Sequence, residues 1–300
     1  MPVDIRAKRP VAVFTHSDFD HADEKCIVML SAFDTRLFGL TLVSLFPDAF
    51  LKRSADDGIF FTTFVDRKEF GLAPGRPGDI DILVIPHTAG RPCFRDSIAI
   101  EAKVLRADFS KRSSSPNSFG ISQAKGLLRD GFPRVGLLTI VVVPNPSGTP
   151  EQSLRPLELC QAVGSNGGVN WLGSVRVDTL GIDLAARHYG RLLAQVRPEE
   201  LAIGVVHVDT KEVQLSLTDG TKIRSAKVHG HSIPEAHKGM RNPDSNPHLL
   251  RRIHSYFATQ GDRFIAYPWK APPSRGDQPR VRDTLIGSHS KGEWKPVGPN

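Results

Sequence analysis

The stretch DIDILVIP at residues 79–86, followed by DSIAIEAKV at 96–104, decides how this chain is read. In a β-strand, side chains alternate between faces with period two. In the first segment Asp79 and Asp81 therefore share one face, and Ile80, Ile82 and Val84 share the other. In the second, Ile98, Ile100 and Ala102 line one face while Glu101 and Lys103 line the opposite one. Both segments keep an apolar face and align ionic groups on the other. Burying a carboxylate or an ammonium without a partner is costly. A carboxylate from each strand with a lysine beside them could offset that cost by holding a metal ion.

The neighbouring segments extend the pattern. IFFTTFV (59–65) is rich in aromatic and β-branched residues and predicts a strand, and GLAPGRPG (71–78) predicts a turn. SQAKGLLRD (122–130) has helical periodicity, with Ser118 as N-cap candidate and Gly131 as a stop. VGLLTIVVVP (135–144) is a continuous apolar run, the sign of a strand buried on both faces. Upstream, VAVF predicts a leading strand. THSDFDHADEK supplies caps and first-turn acids for a helix starting near Asp20 to Asp23. These segments predict an α/β core over residues 1–145. Residues 146–175, with NPSGTPEQSLRP and GSNGGVN beside them, predict a linker or loop-rich insertion. Residues 176–269 predict a smaller α/β extension: a helix over 183–196, then LAIGVVHV, VQLSLT and KIRSAKVH as successive strands with an Asp-Gly hairpin turn at 219–220. The Pro-, Gly- and Ser-rich end, 270–300, predicts a mobile basic tail.

Composition bounds the function classes. The chain has 300 residues, room for two ordinary domains or one large one. No apolar run approaches the roughly 20 residues of a membrane helix, and VAVF is too short for a signal-peptide core. Cys26, Cys93 and Cys160 are widely spaced and form no CxxC, which argues against a disulfide framework or a structural zinc site and for a reducing cytoplasm. The net charge is +7, and its excess is local: residues 222–300 hold 14 Lys and Arg against 6 Asp and Glu. A basic end on an otherwise neutral chain points to a polyanionic partner, nucleic acid or an acidic surface.

The ionic set on the two strands suits a hard cation. Mg²⁺ or Mn²⁺ takes oxygen ligands, and Asp81, Glu101 and the backbone carbonyl of Ala102 would supply them. Lys103 lies near enough along its strand to orient an attacking water or neutralise charge on a phosphorane. The chemistry expected is phosphodiester hydrolysis.

GDIDILV (78–84) followed by IEAK (100–103) resembles the acid and ExK motifs of the PD-(D/E)xK nuclease superfamily. The resemblance implies a restriction-endonuclease-like fold: a mixed central sheet flanked by helices, built from a helix, a β-meander, a second helix and a further strand. It covers residues 20–145. It implies catalytic Asp81, Glu101 and Lys103, with Asp81 and Glu101 as metal ligands. Gln123 matches a glutamine that some members carry at the start of the helix after the ExK strand. The usual tyrosine four residues later is absent, since Leu127 stands there. Some members add a glutamate from the first helix, and Glu24 is placed to play that part or simply to serve the helix dipole.

Other candidates compete with plainer explanations. His16, Asp18, Asp20, His21 and Asp23 match no standard zinc spacing and read better as capping groups. Asp79 is a supporting acid or merely the residue entering its strand. His229 and His231 fit a solvated strand edge, and Cys93 and Cys160 fit packing roles. Lys111, Arg112 and Ser113 to Ser115 form a polar loop that could touch phosphates or stay idle. Glu293-Trp294-Lys295 repeats ExK without a supporting strand or preceding acid. The expectation is a Mg²⁺-dependent deoxyribonuclease whose basic extension holds DNA, with no membrane partner. A homodimer or a regulatory partner protein stays open. The alternative is a non-catalytic nucleic-acid-binding protein on the same fold.

Overall fold

Asp23 accepts the backbone N–H of Cys26 at 2.7 Å and so starts helix α2, Glu24–Phe33. Just before it, Thr15 and Asp18 form a reciprocal capping box on the short α1, His16–His21. Asp34 ends α2 and caps α3, Thr35–Leu45, by accepting Leu37 N–H at 2.8 Å. The two helices meet at a bend of 91°, and the single turn α4, Pro47–Phe50, follows. Ile27, Val28, Leu37, Phe38, Leu42 and Leu45 are buried. Removing each from water contributes about 1.5–3 kcal/mol. Among the described residues no single helix is long and apolar enough to cross a membrane.

The computed structural model describes residues 14–50, 54, 56–72, 79–108, 120–143, 154–163, 168–178, 180–196, 199–216, 222–232, 236–269, 287–290 and 293–296. After the helices come β1 (Asp57–Val65), β2 (Ile80–Thr88), β3 (Arg91–Pro92) and β4 (Ile98–Arg106). Then follow α5 (Ile121–Asp130), β5 (Arg134–Val142), β6 (Leu154–Val163), β7 (Gly168–Asp178) and α6 (Leu180–Gln195). The chain continues with β8 (Leu201–Ser216), β9 (Lys222–Ser232), α7 (Pro247–Thr259), β10 (Ile265–Pro268), β11 (Gly287–Ser290) and β12 (Glu293–Pro296).

One curled mixed sheet, flanked by helices, runs β10-β1-β2-β4-β5-β8-β9, with β3 pairing onto β2. β1, β2 and β4 form an antiparallel meander, and β5 lies parallel to β4. That parallel step needs a crossover, which α5 supplies. β5 is buried at every position, as its unbroken apolar run predicts. Ile82, Val84, Ile98, Ile100, Leu138, Ile140 and Val206 pack in one cluster with α2 and α3. The other face meets α6, where His188 reaches Thr139, and α7, where Phe257 packs on Phe60 with ring centroids 5.1 Å apart.

Contacts divide the chain into two units, residues 1–145 with 181–270 and residues 146–180 with 271–300. This corrects the expected smaller extension at 176–269. β8 pairs parallel to β5 from Leu201 to Val208, so that segment completes the central sheet. A strand apolar on both faces needs a hydrogen-bonded neighbour on each edge, and β4 covers only one. The second unit contains the antiparallel pair β6–β7 and the antiparallel pair β11–β12. The described residues within 146–175, namely 154–163 and 168–175, thus carry strand where a loop-rich insertion was expected. LAIGVVHV and the VQLS that begins VQLSLT form one continuous strand, β8, instead of two. Gly120, not Ser118, stands at the N-cap of α5, without a side-chain cap. Ser118, VAV at 11–13, the Asp-Gly turn at 219–220 and most of the expected tail lie outside the described residues.

Candidate functional site

The antiparallel ladder between β2 and β4 pairs Val84 with Ile98, Leu83 with Ala99 and Ile82 with Ile100, and ends there. β4 continues to Arg106, paired with β5 along its other edge. The next N–H groups facing the opened edge, those of Ala102 and Val104, need acceptors, because an unpaired buried backbone donor is costly. Carboxylates supply them: Asp81 Oδ2 accepts Ala102 N–H at 2.8 Å, and Glu24 Oε1 accepts Val104 N–H at 3.2 Å. The split in the sheet thus draws two acids to the ExK strand.

The strand facing Asp81 is distorted at the same level. Thr63 pairs with Ile82 and Val65 with Ile80, leaving Phe64 opposite Asp81. Phe64 has a φ of 54°, in the left-handed region that a bulky side chain seldom adopts. Lys25 Nζ lies over its ring at 5.2 Å and 3.3 Å from Asp79 Oδ2. Asp79 therefore pairs with an exposed lysine at the rim.

Glu101 and Lys103 share a face, as their spacing predicts, and Glu101 Oε1 lies 2.8 Å from Lys103 Nζ. Glu101 is 2% exposed, and apart from that ammonium Oε1 has no hydrogen-bond partner. Burial, reinforced by the charge of Asp81, pushes the Glu101 carboxyl up to about 7 despite Lys103. Burial pushes Asp81 up to about 6, against the pull of the Ala102 hydrogen bond and Lys103. Desolvation works against the Lys103 ammonium, yet Glu101, Asp81 and Glu24 together hold its pKa above the usual lysine value. The four groups feel one another's charges. Three carboxylates face one ammonium, so the fully ionised set carries excess negative charge, with Glu101 buried and Glu24 exposed.

Helix α5 closes the site from its N-terminal end. Gly120 has a φ of 80°, and a Cβ there would stand 2.7 Å from Leu137 Cδ1, 3.1 Å from Lys103 Cγ and 3.6 Å from Glu101 Cγ. The backbone at Gly120 therefore lies directly against both ExK side chains. Sequence reasoning missed it; the signal was a glycine just ahead of a helical run. Gln123 sits half-buried in the first turn of α5 and makes no hydrogen bond to the carboxylates or to Lys103.

The donors assembled here are all oxygen, the set a hard divalent cation takes. Among the described residues no group of three or more His, Cys, Asp and Glu side chains is arranged to hold a metal ion. Mg²⁺ is commonly held by one or two carboxylates with several retained waters. Asp81 and Glu101, electrostatically strained without a cation, fit that manner of binding. Glu24 already spends one oxygen on Val104.

The remaining candidates resolve otherwise. Asp18 and Asp23 cap helices, and His21 Nδ1 lies 2.8 Å from Ser17 O, so the His16–Asp23 cluster is a pair of helix starts. Cys93 Sγ lies 3.1 Å from Asp96 Oδ2. Lys111, Arg112 and Ser113 to Ser115, and the side chains of Cys160, His229, His231, Glu293 and Lys295, lie outside the described residues. Comparison with protein-family models, with curated proteins and with solved structures finds no match to this chain.

Proposed function

We propose that this chain is a metal-dependent nuclease that hydrolyses phosphodiester bonds, with DNA the favoured substrate, as its resemblance to the PD-(D/E)xK superfamily implies. The observation that carries the reading is the meeting of Asp81, Glu101 and Lys103 where the β2–β4 ladder opens. The order of elements supports it: helix, antiparallel β1-β2-β4, α5, then parallel β5.

Asp81 and Glu101 would hold Mg²⁺ or Mn²⁺, which when bound polarises the phosphoryl oxygen and lowers the pKa of a bound water. The chain's own groups do the rest. Ala102 N–H fixes the Asp81 carboxylate at the opened edge. Glu101 keeps Lys103 charged, and the ammonium orients the attacking water and offsets charge growing on the phosphorane. Gln123, in the first turn of α5, would position substrate or lysine.

The test is incubation of plasmid and of linear DNA and RNA with the protein and Mg²⁺ or Mn²⁺, beside Lys103→Ala and Asp81→Ala. Metal-dependent cutting that both substitutions abolish is expected. Equal cutting by wild type and Lys103→Ala would remove the lysine from the mechanism. Metal-independent, salt-sensitive binding that survives Asp81→Ala, with no cutting, would establish the non-catalytic binding protein instead.

A further inference from the structure

The geometry points to a second phosphate-binding locus on α7, which grips the backbone of a nucleic-acid duplex away from the scissile bond; this inference rests on the nuclease reading for the identity of its ligand. α7 buries Leu249, Ile253, Tyr256 and Phe257 against the sheet, leaving His248, Arg251, Arg252, Ser255 and Thr259 exposed. These exposed positions fall at helical spacing along one face. The four from Arg251 to Thr259, with Tyr256 and Glu69, line an open groove of about 340 Å³.

The groove's chemistry is that of a phosphodiester site. Arg251 and Arg252 offer planar, multidentate donors suited to phosphate oxygens. Ser255 and Thr259 add hydroxyls. Neither arginine has an acidic partner among the described residues: Arg251 lies 2.8 Å from His248 Nδ1, and the Arg252 guanidinium lies 3.7 Å from where a Cβ on Gly71 would stand. Glu69 is the acid on the wall, set against two guanidinium groups. Tyr256, 4% exposed, forms the floor of the groove, and the Arg263 guanidinium lies over its ring at 5.9 Å and interacts with its phenol.

Position links the groove to the catalytic set. α5 starts at Gly120 against Lys103 and ends at Gly131, whose carbonyl accepts the N–H of Asn246, the cap of α7, at 2.9 Å. Ten residues of helix cover about 15 Å at 1.5 Å each. At about 3.4 Å per base-pair step, that is roughly four steps of duplex. A duplex cut at Glu101 is long enough to reach the foot of α7. Arg251 and Arg252 are two of the 14 Lys and Arg residues of the basic stretch 222–300.

The experiment measures binding of a labelled 20-base-pair duplex to the full chain in EDTA across a salt series, with cleavage assayed separately in Mn²⁺. Arg251→Gln/Arg252→Gln should bind ~10-fold more weakly, irrespective of sequence, and flatten the slope of log affinity against log salt by about 2. Arg224→Ala, at an exposed arginine 3.6 Å from Glu212, should bind as wild type does. The substituted arginines are exposed, and a thermal melt coinciding with wild type separates lost contact from lost fold. Unchanged affinity and slope in the double variant would overturn the proposal. So would displacement of the duplex by millimolar inorganic phosphate, which would mark a free-anion site. Because binding is read without metal, the two ideas fail separately. Cutting with unaltered binding in the double variant sinks only the groove, and binding lost there with no cutting by wild type sinks only the nuclease.

Discussion

The Asp81 carboxylate stands in for a strand partner of Ala102: its Oδ2 accepts the Ala102 N–H at 2.8 Å just past Ile82 and Ile100, the last pair of the β2–β4 ladder. A side chain thus completes the backbone bonding at the place where the sheet opens. The same acid sits within electrostatic reach of Glu101, Lys103 and Glu24. Its structural and chemical duties can be separated by substitution.

Asp81→Asn keeps an acceptor for Ala102 and removes the charge. Asp81→Ala removes both. The alanine variant is expected to lose about 1–3 kcal/mol of stability through the unsatisfied N–H. The asparagine variant should stay near wild type or above it in the absence of metal. Both should lose cleavage. Urea denaturation beside a nuclease assay checks this, and equal stability of the two variants would remove the hydrogen bond from the account.

The raised carboxyl pKa values set a pH dependence. Asp81 moves from 3.8 to about 6 and Glu101 from 4.5 to about 7, so the native state holds protons that the unfolded state has already released. These two groups therefore stabilise the metal-free protein fully below pH 3.8 and progressively less up to about pH 7. The loss for the coupled pair is a few kcal/mol at most, at about 1.4 kcal/mol per pKa unit. Asp81→Asn/Glu101→Gln should flatten the fall in thermal stability across this window. Mg²⁺ or Mn²⁺ should raise Tm of the wild type more at pH 8 than at pH 5, because its ligands must be ionised.

Gly120→Ala tests the wall beside the lysine. Its Cβ would press on Leu137 and Lys103 at a φ of 80°, a conformation that disfavours any side chain. A stability loss of about 1–3 kcal/mol is expected. Cleavage measured well below the melting temperature should fall further than the folded fraction does. Full activity per folded molecule would show that Lys103 tolerates displacement.

Arg67 and Asp130 form a buried ion pair that ties the turn after β1 to the end of α5, with side chains 7% and 9% exposed. Arg67→Ala should destabilise by about 3–5 kcal/mol, because it takes the guanidinium away from a carboxylate that is itself buried. Arg67→Met/Asp130→Leu should recover most of that loss. Chemical denaturation of the three proteins decides it; an Arg67→Ala variant as stable as wild type would show that Asp130 finds other compensation.

Much of the site was legible in the chain because strand alternation is local. Period two alone put Glu101 and Lys103 on one face and the isoleucines on the other, and the apolar run at 135–142 announced a strand buried on both sides. Asp23 announced a helix start because a cap bonds only a few residues ahead. What depended on partners distant in sequence was not legible. Glu24 reaches Val104 across 80 residues only because β4 outruns β2, and no local pattern records where a ladder stops. β8 joins β5 because a doubly buried strand needs two edges, although 145–175 interrupts the chain between them. Gly120 became part of the site only when α5 docked on Lys103. Arg251 and Arg252, two of the basic residues counted in 222–300, came to line a groove only when α7 turned its apolar side to the sheet. The sequence by itself determined which side chains share a face, since backbone geometry dictates that residue by residue. The tertiary structure alone decided which faces and edges meet, since that follows from burial and hydrogen bonding satisfied over the whole fold.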